Sequence, residues 1–395
     1  MPRGGAFVMM VQLYLHFPFC KRKCLYCDFC SFPADETEVR AYCDALVRET
    51  ELYAEAYPDA TVDTVFLGGG TPSIVPAPQM DKVLAALKQS FIFAKQVEFT
   101  SEGNPGTLTD EWLDVVSRHG ANRLSLGMQA KQNELLQSLG RIHTHAQTVE
   151  AVDMAKRHGF HNFNLDVMFG LPGQTVEDYL NTLRAAAELD AAHISAYSLI
   201  VEEGTPLFLR VQSGVTKLPG EDAEDEMYER GVDTMEAMGY RQYEISNFAK
   251  PGFECRHNLG YWQGKYYLGL GLGAHGMLPC ENAPYRRVEN TYQMKEYLAA
   301  VREGRLPRKV STPVKRDEAM FECLMLGLRT LEGIDCAEFE RRFGEPLDKK
   351  YGAELEKLAR EGLAVWNGRL RLTPHGLRVQ NAVLLRLMEP QGKQV

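Results

Sequence analysis

No run of about 18 apolar residues occurs anywhere in the chain, so no membrane-spanning helix is expected. Long basic runs are missing too, and the net charge is −9, so nucleic acid is not the expected partner. The apolar stretch Phe7-Val8-Met9-Met10-Val11 is short and no small-residue cleavage site follows it, which argues against a secretory signal. The nine cysteines are an odd count, which suits a disulfide framework poorly and a reducing cytoplasm well.

What is present is periodicity. With 395 residues and 45% apolar content, the chain can bury a large domain and a smaller one. Apolar β-rich runs at 13–17, 64–67, 97–101, 123–126, 162–168 and 193–199 alternate with helical spacing at 38–57, 79–91, 110–119, 146–158, 176–189 and 221–238. Such alternation implies βαβ units and a parallel sheet, either a partial (β/α)6 barrel or an open doubly wound sheet. Nearly every strand run ends in glycine or polar residues, as in Gly68-Gly69-Gly70-Thr71-Pro72 and Gly170-Leu171-Pro172-Gly173. In a barrel those ends would converge on one mouth.

The expected organisation is a tail at 1–12, a barrel over 13–240, a connecting segment over 241–290, a small domain over 291–389 and a tail at 390–395. Helical spacing resumes at 292–303, 317–331, 336–342 and 347–361, followed by an Asn367-Gly368 hairpin signal, so the last domain reads as winged-helix-like. In so acidic a chain, a packing or docking role suits it better than DNA binding.

Four cysteines lie between Cys20 and Cys30, and Cys20-Lys-Arg-Lys-Cys24-Leu-Tyr-Cys27 is a C-x3-C-x2-C loop directly after the first strand. Three thiolates on one loop can hold three corners of an iron–sulfur cubane. A zinc site or a four-cysteine electron-transfer cluster, either completed by Cys30, remains open on spacing alone. Glycine-rich strand ends around the loop favour a site that keeps room for a ligand. The other cysteines, except Cys255 near a motif described below, read as small buried apolar residues.

The loop resembles that of the radical S-adenosylmethionine superfamily. Tyr14-Leu-His16-Phe-Pro18-Phe-Cys20, Val65-Phe-Leu-Gly-Gly-Gly-Thr-Pro72 and Asp166-Val-Met-Phe-Gly170-Leu-Pro-Gly173 narrow the resemblance to the oxygen-independent coproporphyrinogen III oxidase family, over most of the chain. The resemblance implies a [4Fe-4S] cluster on Cys20, Cys24 and Cys27, with S-adenosylmethionine at the open iron, where an electron from a flavodoxin or ferredoxin would cleave it. It places Tyr26 near the adenine, and Gly69, Gly70 and Thr71 in the turn that receives the methionyl amino group. Arg141 would fork onto the carboxylate, Asp166 and Gln129 would take the ribose, Glu102 would balance positive charge, and Tyr14 and Ile200 would line the site. Singly, each of these side chains is an ordinary barrel-rim residue.

Three features separate two subfamilies. Phe29 stands where the oxidases carry a further cysteine, few residues precede Tyr14, and His257-Asn258-Leu259-Gly260-Tyr261-Trp262 is an HNxxYW motif. The motif resembles that of HemW-type heme chaperones, which deliver heme to respiratory proteins. His257 could ligate heme iron and Tyr261 and Trp262 could pack on the porphyrin; equally, His257 could cap a turn and the two aromatics fill an interdomain seam. Arg241, Lys250, Arg256 and Lys265 could meet propionates. His143 and His145 are further possible iron ligands, and Cys255 a possible covalent anchor. The chaperone reading implies heme, heme-accepting respiratory proteins and a low-potential electron donor as partners. Coproporphyrinogen III dehydrogenation is the competing expectation, and a zinc-stabilised binding module a third.

Overall fold

The computed structural model describes residues 9–388. The expected tail at 390–395 lies outside them, as does most of the tail at 1–12. Met9–Gln12, however, are not a tail, because the first strand begins at Met9 and pairs from there with residues 60–64.

Six βα units follow one another: β1 (Met9–Phe17), α1 (Glu36–Ala56), β2 (Ala60–Gly69), α2 (Ala77–Ser90), β3 (Ile92–Gly103), α3 (Asp110–Arg118), β4 (Arg123–Gln129), α4 (Asn133–Ser138), α5 (His145–Arg157), β5 (Phe163–Phe169), α6 (Val176–Glu188), β6 (His193–Ser198), α7 (Pro206–Gln212) and α8 (Glu221–Ala237). Strands β1 to β6 are parallel and adjacent in chain order, which makes this a partial barrel and not a doubly wound sheet. Local chemistry sets the helix starts: Asp35, Thr144 and Thr175 each close a capping box at the head of α1, α5 and α6. Alternation sets the strand faces. Val11, Leu13, Leu15 and Phe17 are buried in the core under the helices. Gln12, Tyr14 and His16 point the other way, into the barrel.

Residues 241–290 are more than a connector. β8 (Asn247–Ala249) pairs antiparallel with β6, and β7 (Arg241–Glu244) pairs antiparallel with β8 at the sheet's edge. The chain then crosses the barrel through α9 (Arg256–Trp262), and β9 (Tyr267–Leu270) joins the opposite edge, parallel to β1. β10 (His275–Leu278), β11 (Tyr285–Asn290), α10 (Met294–Arg302) and β12 (Arg308–Val314) follow, and the strands complete a sheet of 12. α10 belongs with the barrel, since its Tyr297 stacks on Tyr42 of α1 at 5.2 Å. Most of a second core lies from Val314 onward, with Met277 of β10 and Tyr285 of β11 joining it, so we propose that the C-terminal unit starts near Val314, where 291 was expected. It holds α11 (Arg316–Gly327), β13 (Ile334–Asp335), α12 (Cys336–Phe343), α13 (Leu347–Arg360) and a β14 (Ala364–Trp366)–β15 (Arg369–Leu372) hairpin turning at Asn367-Gly368. α14 (Pro374–Arg378) and α15 (Gln380–Met388) close it.

Candidate cofactor site and the adjoining cavity

The cysteine loop leaves β1 through Pro18 and is pinched shut by backbone bonds from Cys20 N to Phe32 O at 3.1 Å and from Phe32 N to Pro18 O at 2.9 Å. Leu25 anchors its far side, donating to Leu139 O at 3.0 Å and accepting from Leu207 N at 2.9 Å. Cys20, Cys24 and Cys27 are all partly exposed, whereas Cys43 and Cys255 are buried. Two cations of the loop are occupied by carbonyls: Arg22 donates to Gly140 O and Lys23 to Phe29 O, each at 2.7 Å. Burial pushes the Cys27 thiol up, with Lys23 opposing the shift. Cys30 turns elsewhere: its carbonyl meets His16 Nε2 at 2.8 Å, and its side chain packs against the main core. Among the described residues, no three His, Cys, Asp or Glu side chains are gathered as ligands of one metal ion.

Strand ends bring further expected residues to this loop. Thr71 Oγ1 lies 3.6 Å from Cys20 Sγ and accepts from Asn104 Nδ2 at 2.9 Å. Arg141 donates from Nη1 to Cys24 Sγ at 3.6 Å, and from Nη2 to Asn104 Oδ1 at 2.6 Å and Gly127 O at 2.8 Å. Deeper in, Glu102 and Asp166 are both half-buried. Burial, then the Asp166 charge, raise Glu102 to about 8, and burial also raises Asp166, whose Oδ1 accepts from Asn164 at 2.7 Å. Tyr26 is partly buried, with its hydroxyl pushed up by desolvation, and packs with a small core around Leu136 and Leu171.

These residues fit a small cationic amino acid derivative. A pair of half-buried carboxyl groups would be stabilised by positive charge. Gln129 Oε1 is buried without a partner, and its backbone is left-handed at φ 64°. A Cβ on Gly70 would stand 2.5 Å from Phe19 O, and one on Gly69 would strike the His16 ring at the same distance, so backbone alone faces the site. Ile200 is the outlier: it is 67% exposed on the loop after β6.

The HNxxYW motif forms α9, laid across the barrel. Glu98 caps its first turn, accepting from Arg256 N and His257 N at 2.9 Å each. His257 is buried; its Nδ1 lies 2.7 Å from Thr64 Oγ1 and its Nε2 2.9 Å from Tyr261 Oη. Burial, then the Arg123 charge, lower its pKa to about 3, so the ring is neutral. Cys255 is buried too, facing Glu98 at 3.5 Å. Of the four basic residues expected near propionates, Lys250 is paired with Asp190 at 2.5 Å, Arg256 donates to Gln96 O at 3.0 Å, and Lys265 reaches the cavity described next. His143 lines the cleft beside Cys24 and Arg141, lowered to about 4 by burial and the Arg141 charge; His145 begins α5.

Tyr261 and Trp262 line a cavity of about 370 Å³. Tyr14 and His16 of β1 form part of its wall, Met277 and Arg287 come from β10 and β11, and Leu326 from α11 of the C-terminal unit. The motif aromatics thus sit at the seam between the two units and also face open space.

Comparison with known proteins follows this architecture. Residues 14–186 match the radical SAM superfamily, and residues 314–379 the HemN C-terminal domain. The heme chaperone HemW of Lactococcus lactis is 36% identical over 379 residues, 95% of this chain and 96% of that one. The chain belongs to the HemW family. Another member, the heme chaperone HemW of Escherichia coli, is 35% identical over 95% of this chain and 97% of its own. The coproporphyrinogen III oxidase HemN of Escherichia coli, a radical SAM enzyme, has the same fold as this HemW-family chain, with a TM-score of 0.83 over 97% of this chain and 91% of that one at 22% identity.

Several side chains at the site carry no expected role from sequence. Asn104, which ties Thr71 to Arg141, stands at a strand end in Glu102-Gly103-Asn104-Pro105, where its position was legible. Tyr267, His275 and Arg287 line the cavity; the glycine-rich run Gly269-Leu-Gly271-Leu-Gly273-Ala-His275 was a usable signal of close backbone packing.

Proposed function

We propose that this HemW-family protein is a cytoplasmic heme chaperone that carries a [4Fe-4S] cluster and S-adenosylmethionine and passes heme to respiratory hemoproteins. The observation that carries the reading is the placement of Tyr261 and Trp262 in the wall of a large, partly aromatic cavity that also borders Tyr14 and His16. Kinship with proteins named heme chaperones supports it.

Cys20, Cys24 and Cys27 would hold the cluster and leave one iron to the cofactor. When bound, the cluster would supply an electron to S-adenosylmethionine, drawn from a flavodoxin or ferredoxin. Arg141 and Asn104 would orient the carboxylate, the Gly69–Gly70 turn and Thr71 the amino group, and Asp166 and Gln129 the ribose. Glu102 would oppose the cofactor's positive charge, with Tyr26 beside the adenine. Tyr14 and His16 separate this site from the cavity.

The test is a hemin titration of the full chain, followed by transfer to an apo respiratory hemoprotein and recovery of its activity. Saturable binding and transfer are expected. Carbon dioxide release from coproporphyrinogen III by the reduced, S-adenosylmethionine-loaded protein would overturn the chaperone reading in favour of the dehydrogenase.

A further inference from the structure

We propose that His275 is the side chain that ligates the iron of heme seated in this cavity, with His257 a positioning residue that holds Tyr261 against it. The inference rests on the heme reading above and adds to it the axial ligand.

An imidazole ligates iron through a ring nitrogen with a free lone pair facing the metal. Three histidines reach this region. His16 has both nitrogens engaged, Nδ1 with Tyr14 Oη at 3.0 Å and Nε2 with Cys30 O at 2.8 Å, and it is buried. His257 is likewise engaged on both sides and is buried beneath the cavity wall. Freeing either ring would leave hydroxyls or a carbonyl without partners in or near the core, which opposes the swing of either ring toward a metal.

His275 differs in each respect. It is exposed, it lines the cavity, and its Nε2 meets Tyr292 Oη at 3.0 Å; among the described residues no partner meets Nδ1. One nitrogen is therefore oriented by a hydroxyl while the other is available, the usual arrangement of a metal-binding imidazole with its outer partner. The ring stands at the start of β10, beside Gly273 at φ 64°, where a Cβ would press to 2.7 Å from the Tyr292 ring. Glycine there lets Tyr292 close over the turn and reach the imidazole.

The rest of the cavity suits a porphyrin. Tyr261, Trp262 and Tyr267 offer aromatic surface, and Met277 and Leu326 aliphatic surface. Lys265, 45% exposed and paired with Asp63 at 3.6 Å, brings a positive charge to the cavity edge that a propionate could share. Arg287 is fixed by Glu322, so it presents a positioned charge and not a searching one.

Hemin titration of the full chain, followed by absorption spectroscopy, tests this. His275→Ala should weaken binding about tenfold or more and change the spectrum, and added imidazole should restore the wild-type spectrum. His275→Met should bind with a different spectrum again. His257→Gln should keep the wild-type spectrum. Because His275 is exposed, its variants should melt with the wild type, and this is checked alongside. Wild-type binding with an unchanged His275→Ala spectrum overturns the assignment while leaving the chaperone reading in place. So does a spectral change in His257→Gln alone. Failure of the wild type to bind hemin removes both.

Discussion

His257 Nε2 lies 2.9 Å from the hydroxyl of Tyr261, one turn further along α9. With Thr64 on its other nitrogen and Gln12 donating to Thr64 at 3.0 Å, it forms one bonded line from β1 through β2 to the helix. The histidine of the motif thereby fixes the helix that presents the motif's aromatics.

Replacing His257 by Leu should therefore cost stability. The buried Thr64 hydroxyl and the half-buried Tyr261 hydroxyl lose their partner, and a loss of about 1–3 kcal/mol is expected. Urea unfolding should show a lower midpoint with an unchanged slope. A wild-type midpoint would mean that the line of bonds contributes nothing to the fold.

Cluster assembly should follow the loop geometry. Protein purified without oxygen should lose its iron and sulfide on Cys20→Ala, Cys24→Ala or Cys27→Ala and retain them on Cys30→Ala, because Cys30 packs into the core. Iron analysis decides the matter: loss of iron in the Cys30 variant would make it a ligand and close the open position.

Cofactor affinity should fall about tenfold to a hundredfold in Asp166→Ala and Arg141→Ala, the loss of a charge-assisted contact being worth about 1.5–3 kcal/mol. Titration calorimetry of the reconstituted protein gives the constants. Equal affinity in both variants and the wild type would move the site away from β5.

Stability should fall as pH rises, through Glu49. This buried carboxyl accepts from Gly271 N, Asn290 Nδ2 and Tyr297 Oη, and it faces Tyr42, Tyr53 and Arg308. Burial raises it from 4.5 to about 7 despite those bonds. A folded value above the unfolded one means stability that is complete below about 4.5 and lost as pH climbs through 7, in total about 3 kcal/mol. Glu102, raised to about 8, acts in the same direction while the cofactor is absent. Denaturation midpoints from pH 5 to 9 should slope downward, and Glu49→Gln should flatten part of that slope. An equal slope in the variant would show that Glu49 does not titrate there.

Much of the barrel could be read from sequence because its signals are local. Nearly every strand ends in glycine or polar residues, and α1, α3, α5 and α6 start at side-chain caps, so Glu102, Gln129, Arg141 and Asp166 are expected near one mouth by alternation and family resemblance together. The edge strands were not legible. β7 to β11 are short, and the ties that hold them in the sheet are β8 to β6 and β9 to β1, pairings made with strands elsewhere in the chain. The packing partner of α10 was not legible for a similar reason: its amphipathic face shows that it packs, but not that Tyr297 packs on Tyr42. The motif at 257–262 was visible as a motif, while its histidine's two buried partners lie on another strand and on the motif itself.

The pairing of β1 with β9 has a consequence for how the protein is made. Gln12 donates to His257 O across 245 residues of chain. Contacts so far apart form late, since the entropy of closing so long a loop comes before any gain from the contact. Synthesis from the N-terminus produces the cysteine loop and the residues through Asp166 well before α9 and β9 exist. The cysteine loop and its strand-end neighbours can thus be nearly finished while the cavity still lacks a wall, so the order in which the two regions mature is written into the topology of the chain.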